Sequence, residues 1–321
     1  MTIETAPSTD IRPVRNRLLA VVLAWGPVIV ALAVLIVSGR ATAVWQAIVR
    51  AHPVPLLLLA AVGLALPVVH AARWRAMLRA VAADLPLVSA VEMTITASLV
   101  NYALPGYTGS PAKGLLARQL HGIGFGRSTP TLVVEQVLDA LALAMSAVVA
   151  MLLTGGSAVE QLNSVGLAGI VIALVAVGFV GCAGLAVVVG LRSRSSFIQK
   201  VVDSTRLLAT DRAQRGTVAA LTAIYWALGL VAVWAVTQSV GISLGGTALL
   251  WLTSVPVLLG MLSPLPGGLG LREAAMAAIG GVLGLPVGGV VAAAVMQRGV
   301  FVVALPVALA GARLARGRSR R

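Results

Sequence analysis

Hydrophobic and polar residues fall along this chain in long blocks, not at the two-residue period of a strand. Apolar runs at Leu18–Val37, Val54–Trp74, Thr131–Leu153, Val165–Leu191, Thr217–Val240 and Gly288–Leu314 are each long enough for a helix that crosses a bilayer, which takes about 20 residues. Two shorter runs, Leu87–Ala103 and Thr247–Ser263, lead into one six-residue pattern, Leu-Pro-Gly-x-x-Gly. It reads LPGYTG at 104–109 and LPGGLG at 265–270, an offset of 161 residues (104 to 265). Matching breaks in apolar sequence, one in each half of a chain, point to a binding site at the interface of two repeats.

Composition removes the soluble alternatives. The chain is 59% hydrophobic and 11% charged, with a mean hydropathy of +0.99. The one cysteine, Cys182, excludes disulfides within the chain and cysteine-based metal sites. The first apolar run is longer than a signal-peptide core, so an uncleaved span is expected despite the small-x-small pattern at Ala41-Thr42-Ala43.

Charge sets the expected topology. The net charge of +14 does not imply nucleic acid, because the basic residues flank apolar runs. Arg12, Arg15 and Arg17 precede the first run, and Arg73, Arg75 and Arg79 lie at and beyond the end of the second. Another group spans Arg192–Arg215, and Arg313, Arg316, Arg318, Arg320 and Arg321 close the chain. Such clusters mark the cytoplasmic side. Eight plain spans would leave Arg192–Arg215 outside. Six spans plus two hairpins that enter and return put every basic segment in the cytoplasm, leaving only Arg40 and Arg50 outside.

The expected fold is therefore an all-α integral membrane protein built as an inverted repeat. A basic tail, 1–17, precedes a membrane domain, 18–314, with repeats at about 18–153 and 165–314; a second tail covers 315–321. Gln136 maps onto Gln297 at the same offset. The expected location is the bacterial cytoplasmic membrane, with both termini in the cytoplasm. The alternative is eight spans with Pro-Gly kinks.

Irregular backbone at membrane depth survives only where protein or a water-filled cavity surrounds it. Proline lacks the amide donor and glycine permits the turn. Each turn leaves a helix N-terminus, near Ser110 and near Leu271, as a predicted anion site. Ionisable residues inside apolar sequence add candidates, since such groups pair and mark pathways. Glu135 and Asp139, four apart, share a helix face; Glu92, Lys113 and Arg118 belong to the first hairpin, Arg272 and Glu273 to the second, and Arg298 to the last span. Arg298 with Lys113 or Arg272 is expected to balance Glu135, Asp139 and Glu273. Asn101, Tyr102, Ser254 and Ser263 are candidate neutral partners, and Pro105, Gly106, Gly109, Pro266, Gly267, Gly268 and Gly270 shape the breaks. His52, His70 and His121 lie near loops without metal-ligand spacing, and Trp45 and Trp74 read as interfacial anchors. No P-loop, HExxH or nucleophile elbow occurs, and no cofactor is implied.

At these residues the chain resembles the lysylphosphatidylglycerol synthase membrane-region family, also called flippase-like or UPF0104 proteins. The resemblance runs from about Leu18 to Leu314, through Asn101–Gly106 with Lys113 and Arg118, Val134–Asp139, and Ser263–Glu273. The family commonly has an acidic residue where this chain has Ser110, and an arginine where it has Gln136. Its larger synthases carry a soluble aminoacyl-transferase domain after the membrane region. None is read in these residues, so aminoacylation of lipid is not expected of them.

The resemblance implies translocation or binding of a phospholipid or lipid-linked intermediate. A flippase moving the two hairpins against the surrounding bundle is the leading expectation, without enzymatic activity and with membrane lipids as its partners. A scaffold for a separate lipid- or glycan-modifying enzyme is the alternative, and a membrane-embedded lipid phosphatase the third.

Overall fold

The computed structural model of the chain describes residues 40–104, 108–154, 199, 202–203, 206, 210–263 and 265–319. The expected spans Leu18–Val37 and Val165–Leu191, the N-terminal tail, and Pro105 and Gly106 of the first break lie outside the described residues.

Every regular element among the described residues is helical: α1 (Arg40–Val49), α2 (Pro53–Ala80), α3 (Leu87–Ala103), α4 (Gly109–His121), α5 (Phe125–Leu153), α6 (Arg212–Ser239), α7 (Gly246–Leu262), a 3-10 turn at Pro266–Gly268, α8 (Leu271–Val282) and α9 (Val287–Ser319). Four of them, α2, α5, α6 and α9, are long and apolar enough to cross a membrane. Local chemistry sets their ends. Pro53 starts α2, where its missing amide costs nothing. Asp211 caps α6 by accepting from the amides of Ala213 and Gln214. Gly122, with φ +67°, closes α4 in a left-handed conformation.

The α3–α4 and α7–α8 pairs are shorter. At 1.5 Å per residue, the 17 residues of α3 reach about 25 Å and the 13 of α4 about 20 Å, less than a hydrocarbon core of about 30 Å. Each pair folds back on itself. A Cβ at Gly109 would sit 2.7 Å from the Ala97 carbonyl oxygen, and one at Gly268 would sit 2.8 Å from Cα of Gly260. Both hairpins close on glycine because no side chain fits between the arms.

The hairpins start from opposite ends of the bundle. At one end, Arg316 of α9 forms an ion pair with Glu92 in the second turn of α3. Arg127 of α5 reaches the Ala82 carbonyl after α2, and Val218 of α6 packs with Ala76 and Met77 of α2. At the other end, the His52 amide donates to the Ser239 carbonyl at 2.7 Å, and Trp251 of α7 donates to Thr154 after α5 at 2.9 Å. A buried core stands behind each hairpin: Trp74, Leu85, Ile95 and Ala117 for the first, and Trp251, Val255, Met276 and Ile279 for the second. Arg75, Arg79, Arg118, Arg127, Arg212, Arg215, Arg313 and Arg316 belong to the first end, and Arg40 and Arg50 to the other.

Two expectations about span ends are corrected. The second span does not stop at Trp74: α2 continues to Ala80, and Trp74 is fully buried, not an interfacial anchor. Its indole donates to Thr131 at 3.2 Å, and Lys113 sits 4.5 Å from its ring centroid. The last helix runs on through Ser319, into residues read as a tail.

Candidate functional site

Where the hairpin tips converge, two charge clusters form, the first buried and the second half-buried. The first is assembled from α2, α4 and α5. Glu135, with a side chain 1% exposed, receives Lys113 at 2.9 Å, His70 at 2.9 Å and Arg73 at 3.4 Å. Arg73 is chiefly committed to Asp139, through two hydrogen bonds of 2.6 and 2.8 Å. Helical spacing places these groups: His70 and Arg73 are three residues apart on α2, facing Glu135 and Asp139, four apart on α5. Trp226 donates to Asp139 at 3.1 Å, and the Arg73 guanidinium lies 5.0 Å from the Tyr225 ring centroid.

The second cluster is built on the second break. Gly267, Gly268 and Gly270 all have positive φ, +54°, +70° and +80°, which side-chain-bearing residues rarely adopt. The turn brings the Glu273 carboxylate back to the Gly270 amide at 2.7 Å and to Arg298 at 2.9 Å. Arg298 also donates to the Gly267 carbonyl at 3.1 Å. Of the groups expected to balance one another, Lys113 pairs with Glu135 and Arg298 with Glu273. Asp139 is instead held by Arg73, which the sequence reading had put in a cytoplasmic flank.

Two adjoining cavities, of about 220 and 190 Å³, open between the clusters. Both are lined by His70, Ser98, Tyr102, Tyr225, Val257 and Arg272. Asn101, Gly109, Lys113, Glu135 and Gly267 add to the wall of the larger. Tyr102, at the tip of the first hairpin, lies against the second: a Cβ on Gly267 would meet its ring at 3.0 Å. The buried oxygens Thr94 Oγ1 and Asn101 Oδ1 beside the larger cavity, and Thr253 Oγ1 beside the smaller, have no hydrogen-bond partner among the described residues. Buried polar atoms are normally satisfied, so these unpartnered oxygens set the cavity region apart from the packed core.

The electrostatics favour a negative guest. Arg73 and Lys113 balance Glu135 and Asp139, and Arg298 balances Glu273. Arg272 remains, bonded to the neutral Gln297 at 2.8 Å and in no ion pair among the described residues. The cavity therefore carries one uncompensated guanidinium beside a histidine. The N-terminus of α4 adds to it, since Gly109 and Ser110 line the larger cavity. The anion site expected near Leu271 is not open, because Glu273 already caps that helix.

Other candidates lie elsewhere. Arg118 is exposed and rests 5.1 Å from the centroid of Phe125, away from both cavities. Ser254 donates to its own helix at Leu250, and Ser263 accepts from the Leu265 amide. Pro266, Gly268 and Gly270 build the turn rather than the cavity wall. His70, Arg73, Tyr225 and Trp226 were missed as site residues. A signal for the first two existed: a basic pair at helical spacing near the end of the Val54–Trp74 run matches the acidic pair on α5, but it reads as a flank unless Arg73 is taken as part of the span.

These features define a class: a helical membrane protein whose two broken hairpins meet at a buried, charge-lined cavity. Residues 17–310 match the family model described as the lysylphosphatidylglycerol synthase TM region, and the chain belongs to that family. Neither the curated proteins nor the solved structures give a significant match.

Proposed function

We propose that this protein moves an anionic lipid, a phospholipid or a lipid-linked intermediate, across the bacterial cytoplasmic membrane. Arg272 carries the reading: an unpaired guanidinium in the wall of both cavities, held in place by Gln297, is suited to a phosphate-bearing headgroup. The basic end of the bundle faces the cytoplasm by the distribution of Lys and Arg. The first hairpin then enters from inside and the second from outside, so a headgroup between their tips is reached from either side by shifting one of them. Membership in the family supports a lipid as cargo.

The test is translocation of fluorescent phospholipid and polyprenyl-phosphate probes in proteoliposomes. Arg272→Gln, which removes the charge and keeps a hydrogen-bonding side chain, is expected to abolish it. Full activity in the folded variant would remove the headgroup assignment. A scaffold that recruits a lipid- or glycan-modifying enzyme is the second reading, favoured by the clustering of arginines at one end. It predicts that Arg272→Gln is silent and that neutralising Arg313 and Arg316 is not.

A further inference from the structure

His70 is the one side chain in the first cluster of a type whose unperturbed charge change falls near neutral pH. With His70 neutral, Arg73 and Lys113 cancel Glu135 and Asp139. A proton on His70 therefore adds a whole positive charge to a cavity wall that was otherwise balanced on that side.

Geometry fixes where the proton goes. His70 Nε2 lies 2.9 Å from Glu135 Oε1, a carboxylate that only accepts, so Nε2 carries hydrogen in either charge state. Lys113, 3.5 Å from the same nitrogen, directs its shorter bond of 2.9 Å to Glu135 Oε2. The second ring nitrogen, Nδ1, has no hydrogen-bond partner among the described residues. The side chain is 22% exposed and lines both cavities, as does Arg272. The charged and titratable groups around His70 are Arg73 on its own helix, Lys113 on α4, Glu135 and Asp139 on α5, Tyr225 on α6 with ring centroids 5.3 Å apart, Tyr102 on α3 and Arg272 on α8. None of the acids is idle: each already serves Arg73 or Lys113.

We propose that the cavity binds a phosphate anion together with a proton on His70 Nδ1, the phosphate lying between that N–H and the Arg272 guanidinium. The proton comes from solvent in the cavity when the anion enters and returns to solvent when it leaves, so each headgroup crosses with one proton. This rests on the reading of the cavity as a headgroup site, and it supplies a driving force for a chain without a nucleotide-binding motif.

The chain has three histidines, of which His52 and His121 are exposed. Protein labelled with nitrogen-15 at histidine is reconstituted into vesicles of phosphatidylcholine alone or with phosphatidylglycerol, and titrated by NMR. His70 is expected to gain its second ring proton as the pH falls. If the protonated form binds the anion about tenfold more tightly, phosphatidylglycerol raises its midpoint by about one unit. That rise is counted beyond any shift shared with His52 and His121, which report surface potential. Assignment uses His70→Gln, or His52→Gln and His121→Gln if the first does not fold. A ring that stays neutral throughout, or shifts only in parallel with the other two, overturns the proposal. A trapped pH dye during lipid movement provides the second readout. Lipid movement with no proton entry sinks the coupling alone, whereas a lipid-sensitive His70 in vesicles that move no lipid sinks the transporter reading and leaves the proton site.

Discussion

Ser110 and Gln136 hydrogen-bond to each other at 3.1 Å on the wall of the larger cavity. Both are neutral, so neither brings a carboxylate to the wall that Arg272 shares. Ser110→Asp and Gln136→Arg should each lower the melting temperature in detergent, because each buries a lone charge. The double variant is expected to recover most of the loss, with a coupling of about 0.5–3 kcal/mol; additive losses would mean that the new charges do not pair. Arg73 has no such freedom. Arg73→Leu strands Asp139 and part of Glu135 in the bundle, and unfolding should become easier by about 3–5 kcal/mol. A variant as stable as the parent would show that solvent reaches Asp139.

Among the helical elements, the two glycine-closed hairpins are the most constrained. Gly268→Ala adds a methyl group against Gly260 at a φ of +70°. The expected cost is about 1–3 kcal/mol from backbone strain alone, read as a fall in melting temperature. Gly216→Ala, where a Cβ meets nothing within 4 Å in an exposed turn of α6, is the control and should hold or slightly raise the melting temperature, alanine being the better helix former. The half-length helices and their breaks were legible because Leu-Pro-Gly-x-x-Gly occurs twice and interrupts apolar runs. The end of α2 was not. A hydropathy pattern stops at the first arginine, whereas a helix in a bundle continues as long as each charge finds a partner, and Arg73 finds Asp139. For the same reason Trp74 read as an anchor: aromatic position in sequence says nothing about a lysine stacked on its ring.

For the molecule as a whole, the distribution of charge foretold which hairpin starts from which end, and the ion pair of Glu92 with Arg316 agrees. Membrane orientation itself is open to a direct test in protein whose native Cys182 is replaced by serine. A cysteine at Arg313 should react with an impermeant thiol reagent only from the cytoplasm, and one at Ser243 only from outside; the reverse pattern would invert the topology. What no local pattern carried was the meeting of the tips, since Tyr102 and Gly267 are neighbours only through the assembled bundle. That contact makes the two hairpins halves of a single plug. Withdrawal of either would expose the flank of the other, which under the proposed function makes one aromatic ring the gasket for both faces of the membrane. On the proposed lipid-transport reading, trimming it, as in Tyr102→Ala, should open a leak, with small ions escaping preloaded vesicles even when no lipid is moved.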